Sequence, residues 1–159
     1  MSVTLVITPD AIANLDLAAG HRIVEILLQN PVACAQQLQC QIDFPREDGD
    51  PRELSEIAEI RLWFVRLDAA YPWLPYFLDW RAGELARYTA MLIPHQFSQR
   101  EGIQYNPEAL EIFVMQKVFI LLKWFKDKDF GSAADVKSMA KVLGYDIDPE
   151  FFQLLERYS

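Results

Sequence analysis

Residues 38–44 read LQCQIDF, so apolar and polar side chains alternate along this stretch. Leu38, Cys40 and Ile42 share one side of the pattern, and the intervening glutamines share the other. Because successive side chains of a strand point to opposite faces, this period of two predicts a β-strand with one buried and one wetted face. Most of the remaining chain has helical spacing, so this strand is the feature that distinguishes an α+β fold from an all-helical one.

A helix is predicted soon after this strand. Asp50 supplies an acceptor for the N-cap, Pro51 suits the first helical position, and Glu53 suits the third. Apolar residues then recur at spacings of three and four residues: Ile57, Ile60, Phe64 and Leu67. These features predict a helix over residues 51–70, with a buried strand over residues 60–67 as the alternative.

The remaining elements follow from the same two periods. Strands are predicted at residues 3–7 and as a hairpin formed by residues 93–97 and 103–105. Helices are predicted between Pro9 and Pro31, at residues 81–92, 107–125 and 132–143, and from residue 149 onward. The sequence therefore predicts an α+β fold, a mainly helical single domain over residues 1–159 with a small, mostly antiparallel sheet of about three to four strands.

The charge distribution argues against a nucleic-acid partner. The 159 residues carry a net charge of −8, whereas proteins that bind phosphate backbones are usually basic. All six lysines lie between Lys117 and Lys141, where only three acidic residues occur. A solvated helix face accounts for this basic segment, and a surface for an acidic partner is the alternative.

Two properties of the chain indicate where it works. Its first residues lack the basic start and long apolar run of a secretory signal, and no apolar stretch is long enough to span a bilayer. Its two cysteines, Cys34 and Cys40, are too few for a disulfide scaffold, so reduced thiols are expected. We therefore expect a cytoplasmic protein without direct membrane insertion.

The sequence contains no motif that points to catalysis or cofactor binding. Its six glycines are widely separated, which excludes a known glycine-rich phosphate loop. The spacing of Cys34 and Cys40 does not match a metal clamp, and the two histidines, His21 and His95, add no helical ligand pair. A cysteine–histidine nucleophile is the alternative, but no cysteine-enzyme signature surrounds either cysteine. We expect no catalytic residue, no metal, no iron–sulfur cluster and no other cofactor.

Two segments have the composition of a protein-binding surface. Residues 71–80 read YPWLPYFLDW, in which two prolines brace five aromatic residues. Residues 94–105 mix polar donors with aromatic side chains on a predicted loop. Aromatic and arginine side chains are common interface anchors, and rigid loops lose little entropy on binding. The alternatives are a core plug for the first segment and a structural role for His95. The contact candidates are Arg61, Tyr71, Trp73, Trp80, His95, Gln96, Phe97, Arg100 and Tyr105.

Five strings in this part of the chain are similar to a known family. They are PRELSEI at 51–57, RLWFVRLD at 61–68, YPWLP at 71–75, PHQFS at 94–98 and GIQYNPEALE at 102–111. They resemble the chlororespiratory reduction 6 family over about residues 38–158. The resemblance implies an assembly factor of the photosynthetic NAD(P)H dehydrogenase-like (NDH) complex, found in cyanobacteria and in chloroplasts. It implies a role in building the peripheral arm, through maturation of the ferredoxin-like iron–sulfur I subunit, and no catalytic residue.

The resemblance leaves three hypotheses for the mechanism. In the first, the protein is a chaperone-like factor that binds the immature I subunit and leaves before the complex is complete. In the second, it is a small enzyme or cofactor-insertion protein acting on that subunit, which requires His95 beside a cysteine. In the third, it is a permanent subunit. A cyanobacterial-type member is expected in the cytoplasm, whereas plant relatives are stromal.

Overall fold

The computed structural model describes residues 2–158. Within this range the chain forms four strands: β1 (Val3–Ile7), β2 (Leu38–Ile42), β3 (His95–Ser98) and β4 (Gly102–Tyr105). It forms eight helices: α1 (Pro9–Ala13), α2 (Ala18–Gln29), α3 (Pro31–Cys34), α4 (Ala58–Ala70), α5 (Glu84–Leu92), α6 (Pro107–Lys128), α7 (Ala133–Val142) and α8 (Pro149–Arg157). The predicted α+β class, mainly helical, is confirmed.

The strands of the described chain form two separate pairs instead of one sheet. β1 and β2 are parallel, with Val3 opposite Leu38, whereas β3 and β4 form an antiparallel hairpin. Three helices connect β1 to β2, and a long crossover of this kind is what parallel pairing requires. The sequence pattern located the strands but did not reveal which strand each one pairs with.

The region between β1 and β2 is more interrupted than its helical spacing suggests. Leu15 has a positive φ of 49°, which ends α1 and separates it from α2. Asn30 caps α3 through a hydrogen bond from Ala33 N, and Pro31 occupies the first turn of that short helix. Pro31 therefore starts a new helix as well as ending the preceding one.

The predicted helix start at Pro51 is wrong, because α4 begins at Ala58. The Asp50 carboxylate accepts hydrogen bonds from the backbone N–H and the guanidinium of Arg52. Both residues precede α4, which begins at Ala58. Glu53 instead forms a capping box with Glu56 around a short 3-10 turn. The strand alternative for residues 60–67 is also wrong, since these residues are helical.

A buried ion pair ties the centre of α6 to α4. Lys117 Nζ donates hydrogen bonds to Asp68 Oδ1 at 2.6 Å and to the carbonyl oxygen of Pro72 at 2.8 Å. Tyr88 of α5 donates its hydroxyl proton to the same carboxylate oxygen at 2.8 Å. Burial lowers the pKa of Lys117, and the nearby Asp68 carboxylate opposes this shift. The network fixes α4, α5, α6 and Pro72 relative to one another.

One contiguous apolar cluster forms the core. It includes the inner face of β2 at Leu38, α4 at Trp63, α6 at Leu121 and α7 at Val136. Phe77, from the connection between α4 and α5, is fully buried among them. The β3–β4 hairpin lies against the edge of this core, next to α5.

Candidate functional site

Arg61 of α4 holds the base of the β3–β4 hairpin. Its Nη1 donates hydrogen bonds to the carbonyl oxygens of Ser55 at 2.8 Å and Ala90 at 2.7 Å. Its Nη2 donates to the carbonyl oxygen of Ile93 at 3.1 Å. Desolvation lowers the pKa of Arg61. The guanidinium thus joins three segments that meet beneath the hairpin.

His95 completes this clamp at the first residue of β3. Its Nε2 lies 2.9 Å from Ser55 Oγ, and its Nδ1 lies 3.1 Å from both Arg61 Nη1 and the Ile93 carbonyl oxygen. The guanidinium always donates, so the Nε2–H tautomer suits the Arg61 contact and the Nδ1–H tautomer suits the Ile93 contact. Either tautomer leaves both ring nitrogens with a partner, which is the arrangement of a structural histidine.

Tyr105 fixes the other strand of the hairpin. Its hydroxyl donates a hydrogen bond to the carbonyl oxygen of Ala86 in α5 at 2.6 Å. Burial raises the pKa of Tyr105 to about 12. The half-buried ring packs against the core cluster. The structure therefore brings Arg61, His95 and Tyr105 together as supports beneath the hairpin.

The exposed side chains of the hairpin lie on both faces of the strand pair and in the turn between the strands. Gln96 and Gln104 face each other across the strands and are exposed, and Arg100 is exposed in the turn. Phe97 is 37% exposed and lies opposite Ile103. We call Gln96, Phe97, Arg100 and Gln104 the hairpin surface. Gln96 and Gln104 lie on one face of the hairpin, Phe97 lies on the other face beside the cleft residue Ile103, and Arg100 lies in the turn.

A cleft of about 260 Å³ lies beneath the tip of the hairpin. It is lined by Glu53, Leu54, Ser55, Arg87, Met91, Phe97 and Ile103. Sequence reasoning missed this cleft because its lining comes from three distant segments. The single signal in the sequence was the alternation of Phe97 with polar neighbours, which predicts that its side chain lies on one face of a strand.

The three remaining candidates form a separate group around residues 71–80. The Tyr71 hydroxyl contacts His21 Nδ1, and the Tyr71 and Trp73 rings lie 5.5 Å apart. Trp80 donates its indole N–H to the carbonyl oxygen of Pro75 at 2.9 Å. All three side chains are half-buried. Between them, residues 74–78 are buried, so this half of the segment fills the core as the alternative reading proposed.

Comparison with known proteins decides the family. The family model described as chlororespiratory reduction 6 matches residues 7–154. The chain belongs to the chlororespiratory reduction 6 family. This is an assembly-factor family linked to assembly of the NDH complex. The match includes α1–α3, which precede the segments that carried the resemblance in the sequence. No solved structure matches this chain.

The cysteines of this family member are placed as core residues. Cys34 and Cys40 are both buried and unpaired. Burial, assisted by the Glu84 carboxylate, raises the pKa of Cys40 to about 12, so its thiol is protonated and unreactive at neutral pH. The polar partners of His95 are Ser55, Arg61 and Ile93. Over residues 2–158, no group of three or more His, Cys, Asp and Glu side chains is arranged to hold a metal ion.

A groove of about 770 Å³ lies between the end of α6 and α8. The apolar part of its lining includes Phe119, Phe125, Phe130 and Phe152. Lys123 and Lys126 of the basic segment line it, but so do Asp127, Asp129 and Glu156. Because the groove carries both lysines and carboxylates, its charge does not favour the acidic partner that was the alternative explanation of the lysine cluster.

No helix within residues 2–158 has both the length and the hydropathy to cross a bilayer.

Proposed function

We propose that this chlororespiratory reduction 6 protein binds the immature iron–sulfur I subunit of the NDH complex through the hairpin surface. By holding this client, it promotes assembly of the peripheral hydrophilic arm. In this proposal the protein acts in the cytoplasm of a cyanobacterial-type cell and leaves before the complex is complete. It makes and breaks no covalent bond.

One observation carries the proposal. Phe97 is exposed at the tip of a hairpin whose base is fixed by buried hydrogen bonds from Arg61, His95 and Tyr105. A surface that is ordered before binding loses little conformational entropy when a partner docks. Aromatic and arginine side chains are common at the centre of an interface, and the hairpin exposes one of each in Phe97 and Arg100. Because the family is linked to assembly of the NDH complex, the partner is sought among the subunits of that complex.

The size of the hairpin surface suits a transient contact. It consists of a few side chains, whereas stable interfaces bury about 1,200–2,000 Å². A client that must be released needs modest affinity. Additional contacts from the exposed flanks of Tyr71 and Trp73 are compatible with this proposal, although these rings serve mainly as packing residues.

The enzyme or cofactor-insertion alternative receives no support from the described residues. It requires a reactive thiol near His95, but the Cys40 thiol is buried and protonated, and His95 is fully engaged by Ser55, Arg61 and Ile93. The side chains around the hairpin can bind and orient a polypeptide but offer no activated nucleophile.

Co-purification tests the proposed client. A tagged copy of the protein, isolated from cells in which assembly of the arm is interrupted, is expected to carry the I subunit in near-equal amounts. The tagged protein should be absent from the mature complex. Recovery in the mature complex would support the permanent-subunit hypothesis, and recovery without the I subunit would contradict the proposal.

A further inference from the structure

The hairpin presents main-chain groups that no part of the described chain occupies. Asn106 N donates a hydrogen bond to the Pro94 carbonyl oxygen at 2.9 Å, directly before the two strands pair. Hydrogen-bonded and non-hydrogen-bonded pairs alternate along an antiparallel ladder, so the N–H and C=O groups of His95 and Phe97 point away from β4. Within residues 2–158, no hydrogen bond is made to these four groups.

The cleft beneath the hairpin tip lies beside this edge, because Phe97 belongs to both. Its apolar lining comes from Leu54, Met91, Phe97 and Ile103. The volume of about 260 Å³ lies below the range of roughly 300–1,000 Å³ that is usual for small-molecule pockets. It is the right order of size for a single apolar side chain.

We propose, as an extension of the proposed function, that the client is bound as an extended segment that adds a strand to the free edge of β3. One apolar side chain of that segment enters the cleft beneath Phe97. Main-chain hydrogen bonds recognise an extended polypeptide of any sequence, and a side-chain pocket adds selectivity. This chemistry suits a polypeptide that has not yet folded.

The short length of the edge explains how the contact stays reversible. Only His95 and Phe97 offer outward main-chain groups on β3, so the added strand makes few hydrogen bonds. Short edge strands also resist unselective pairing with other chains. The clamp beneath His95 holds this edge in place before the client arrives.

Peptide binding tests the proposed mode of recognition. Overlapping peptides that cover the I subunit are the probe, and the tightest-binding peptide is methylated at one backbone nitrogen at a time. Because only His95 and Phe97 offer outward carbonyl groups, affinity should fall at least tenfold at two peptide positions that lie two residues apart and change less than threefold at the other positions. Equal sensitivity at all positions, or a helical period, would overturn the proposal.

Amide hydrogen exchange locates the added strand on this protein. The His95 and Phe97 amides should exchange at least tenfold more slowly when the peptide is bound. The Gln96 amide is the internal control, because it already faces Gln104 in a hydrogen-bonded pair and should change little. Unchanged exchange at His95 and Phe97 would contradict the edge assignment.

A cleft-filling variant tests the side-chain pocket. Leu54 is half-buried at the cleft, so Leu54→Trp should fill it and weaken peptide binding at least tenfold. Val32 is 65% exposed and lies outside the cleft lining, which makes Val32→Trp the matched control. The control should bind within twofold of the wild type. Equal affinities of the two variants would rule out occupation of the cleft.

These outcomes separate the two proposals. If the wild type captures the whole I subunit but no peptide slows exchange at His95 or Phe97, the extended mode of binding is wrong and the proposed function stands. If the wild type does not capture the I subunit, both proposals fail.

Sedimentation of the purified protein should show a monomer. A dimer that protects the same amides without peptide would mean that a second copy occupies the edge.

Discussion

The indole rings of Trp73 and Trp124 are stacked, with their centroids 4.5 Å apart and their planes inclined by 2°. Phe77 packs edge-on against both rings, at 5.9 Å from Trp73 and 5.8 Å from Trp124. This stack joins the connection after α4 to the last turns of α6. Trp73 also packs against Tyr71, so it acts mainly as a packing residue.

Replacement of Trp73 should destabilise the protein. Trp73→Ala removes the stack with Trp124 and leaves a partly open cavity, so the free energy of unfolding should fall by about 2–3 kcal/mol. Urea denaturation measures this change, with the exposed Val32→Ala variant as the control. A loss below about 0.5 kcal/mol would place Trp73 on the surface instead. Weaker client capture by Trp73→Ala would then be a genuine contact effect.

Arg61→Lys should loosen the hairpin without unfolding the protein. A lysine ammonium cannot reproduce the fork that reaches the carbonyl oxygens of Ser55, Ala90 and Ile93, so the expected cost is about 2 kcal/mol. Amide exchange in β3 and β4 should accelerate more than exchange in α6. The exposed Arg100→Lys variant should leave exchange unchanged. Uniform acceleration through the whole chain would contradict a local role for Arg61.

The buried Cys40 thiol should make stability fall in alkaline solution. Its pKa is raised from 9.0 to about 12 in the folded protein, so the unfolded chain loses this proton first as the pH rises. The resulting stabilisation is complete below pH 9 and is lost between pH 9 and about 12. Within this window the free energy of unfolding should decrease by about 1.4 kcal/mol per pH unit.

The Cys40→Ala variant isolates this effect. Tyr105, whose pKa is also raised to about 12, contributes in the same direction, and Lys117, whose pKa is lowered, contributes in the opposite direction. Both remain in the variant, as does Tyr88, whose raised pKa is in part caused by Cys40, so the difference in slope between wild type and variant reports Cys40 together with its effect on Tyr88. Urea denaturation from pH 8 to 10.5 measures both slopes. Identical slopes would mean that the thiol is accessible to solvent.

A glycine pair separates steric conflict from backbone strain. Gly131 has a φ of +72°, and a Cβ atom there would lie 2.6 Å from the Phe125 ring. Gly144 has a φ of +95° with open space around it. Gly131→Ala should therefore cost at least about 1 kcal/mol more than Gly144→Ala, because only the first displaces a buried ring. Equal melting temperatures for the two variants would contradict this packing of Phe125.

Local patterns in the sequence were sufficient to locate most elements. The alternation around Cys40, the Asn106-Pro107 start of α6 and the hairpin around Gly102 all reflect interactions between residues close in sequence. The start of α4 was misplaced for a local reason as well. The Asp50 carboxylate oxygens accept hydrogen bonds from Arg52, so Asp50 does not act as the N-cap of α4.

Residues 71–80 show that the sequence does not determine which aromatic side chains are buried. Composition alone does not distinguish an exposed aromatic surface from a core plug, because burial of Trp73 and Tyr76 depends on Trp124 and Phe125, about fifty residues later in the chain. The role of Arg61 is hidden in the sequence for a similar reason, because its partners Ala90 and Ile93 lie 29 and 32 residues later in the chain. The exposure of Phe97 is likewise a tertiary property, set by the clamp at the hairpin base.

Affinity of the purified protein for the I subunit tests the central claim most directly. Phe97→Glu places a charge at the centre of the hairpin surface, and Val32→Glu places the same charge on a distant exposed site. Val32→Glu should retain stability within about 0.5 kcal/mol of the wild type, whereas Phe97→Glu, which loses the contacts of the ring in the cleft, should lose about 1–2 kcal/mol and remain folded. The account predicts that Phe97→Glu binds the I subunit at least tenfold more weakly while Val32→Glu binds normally. Wild-type affinity in a folded Phe97→Glu variant would contradict it.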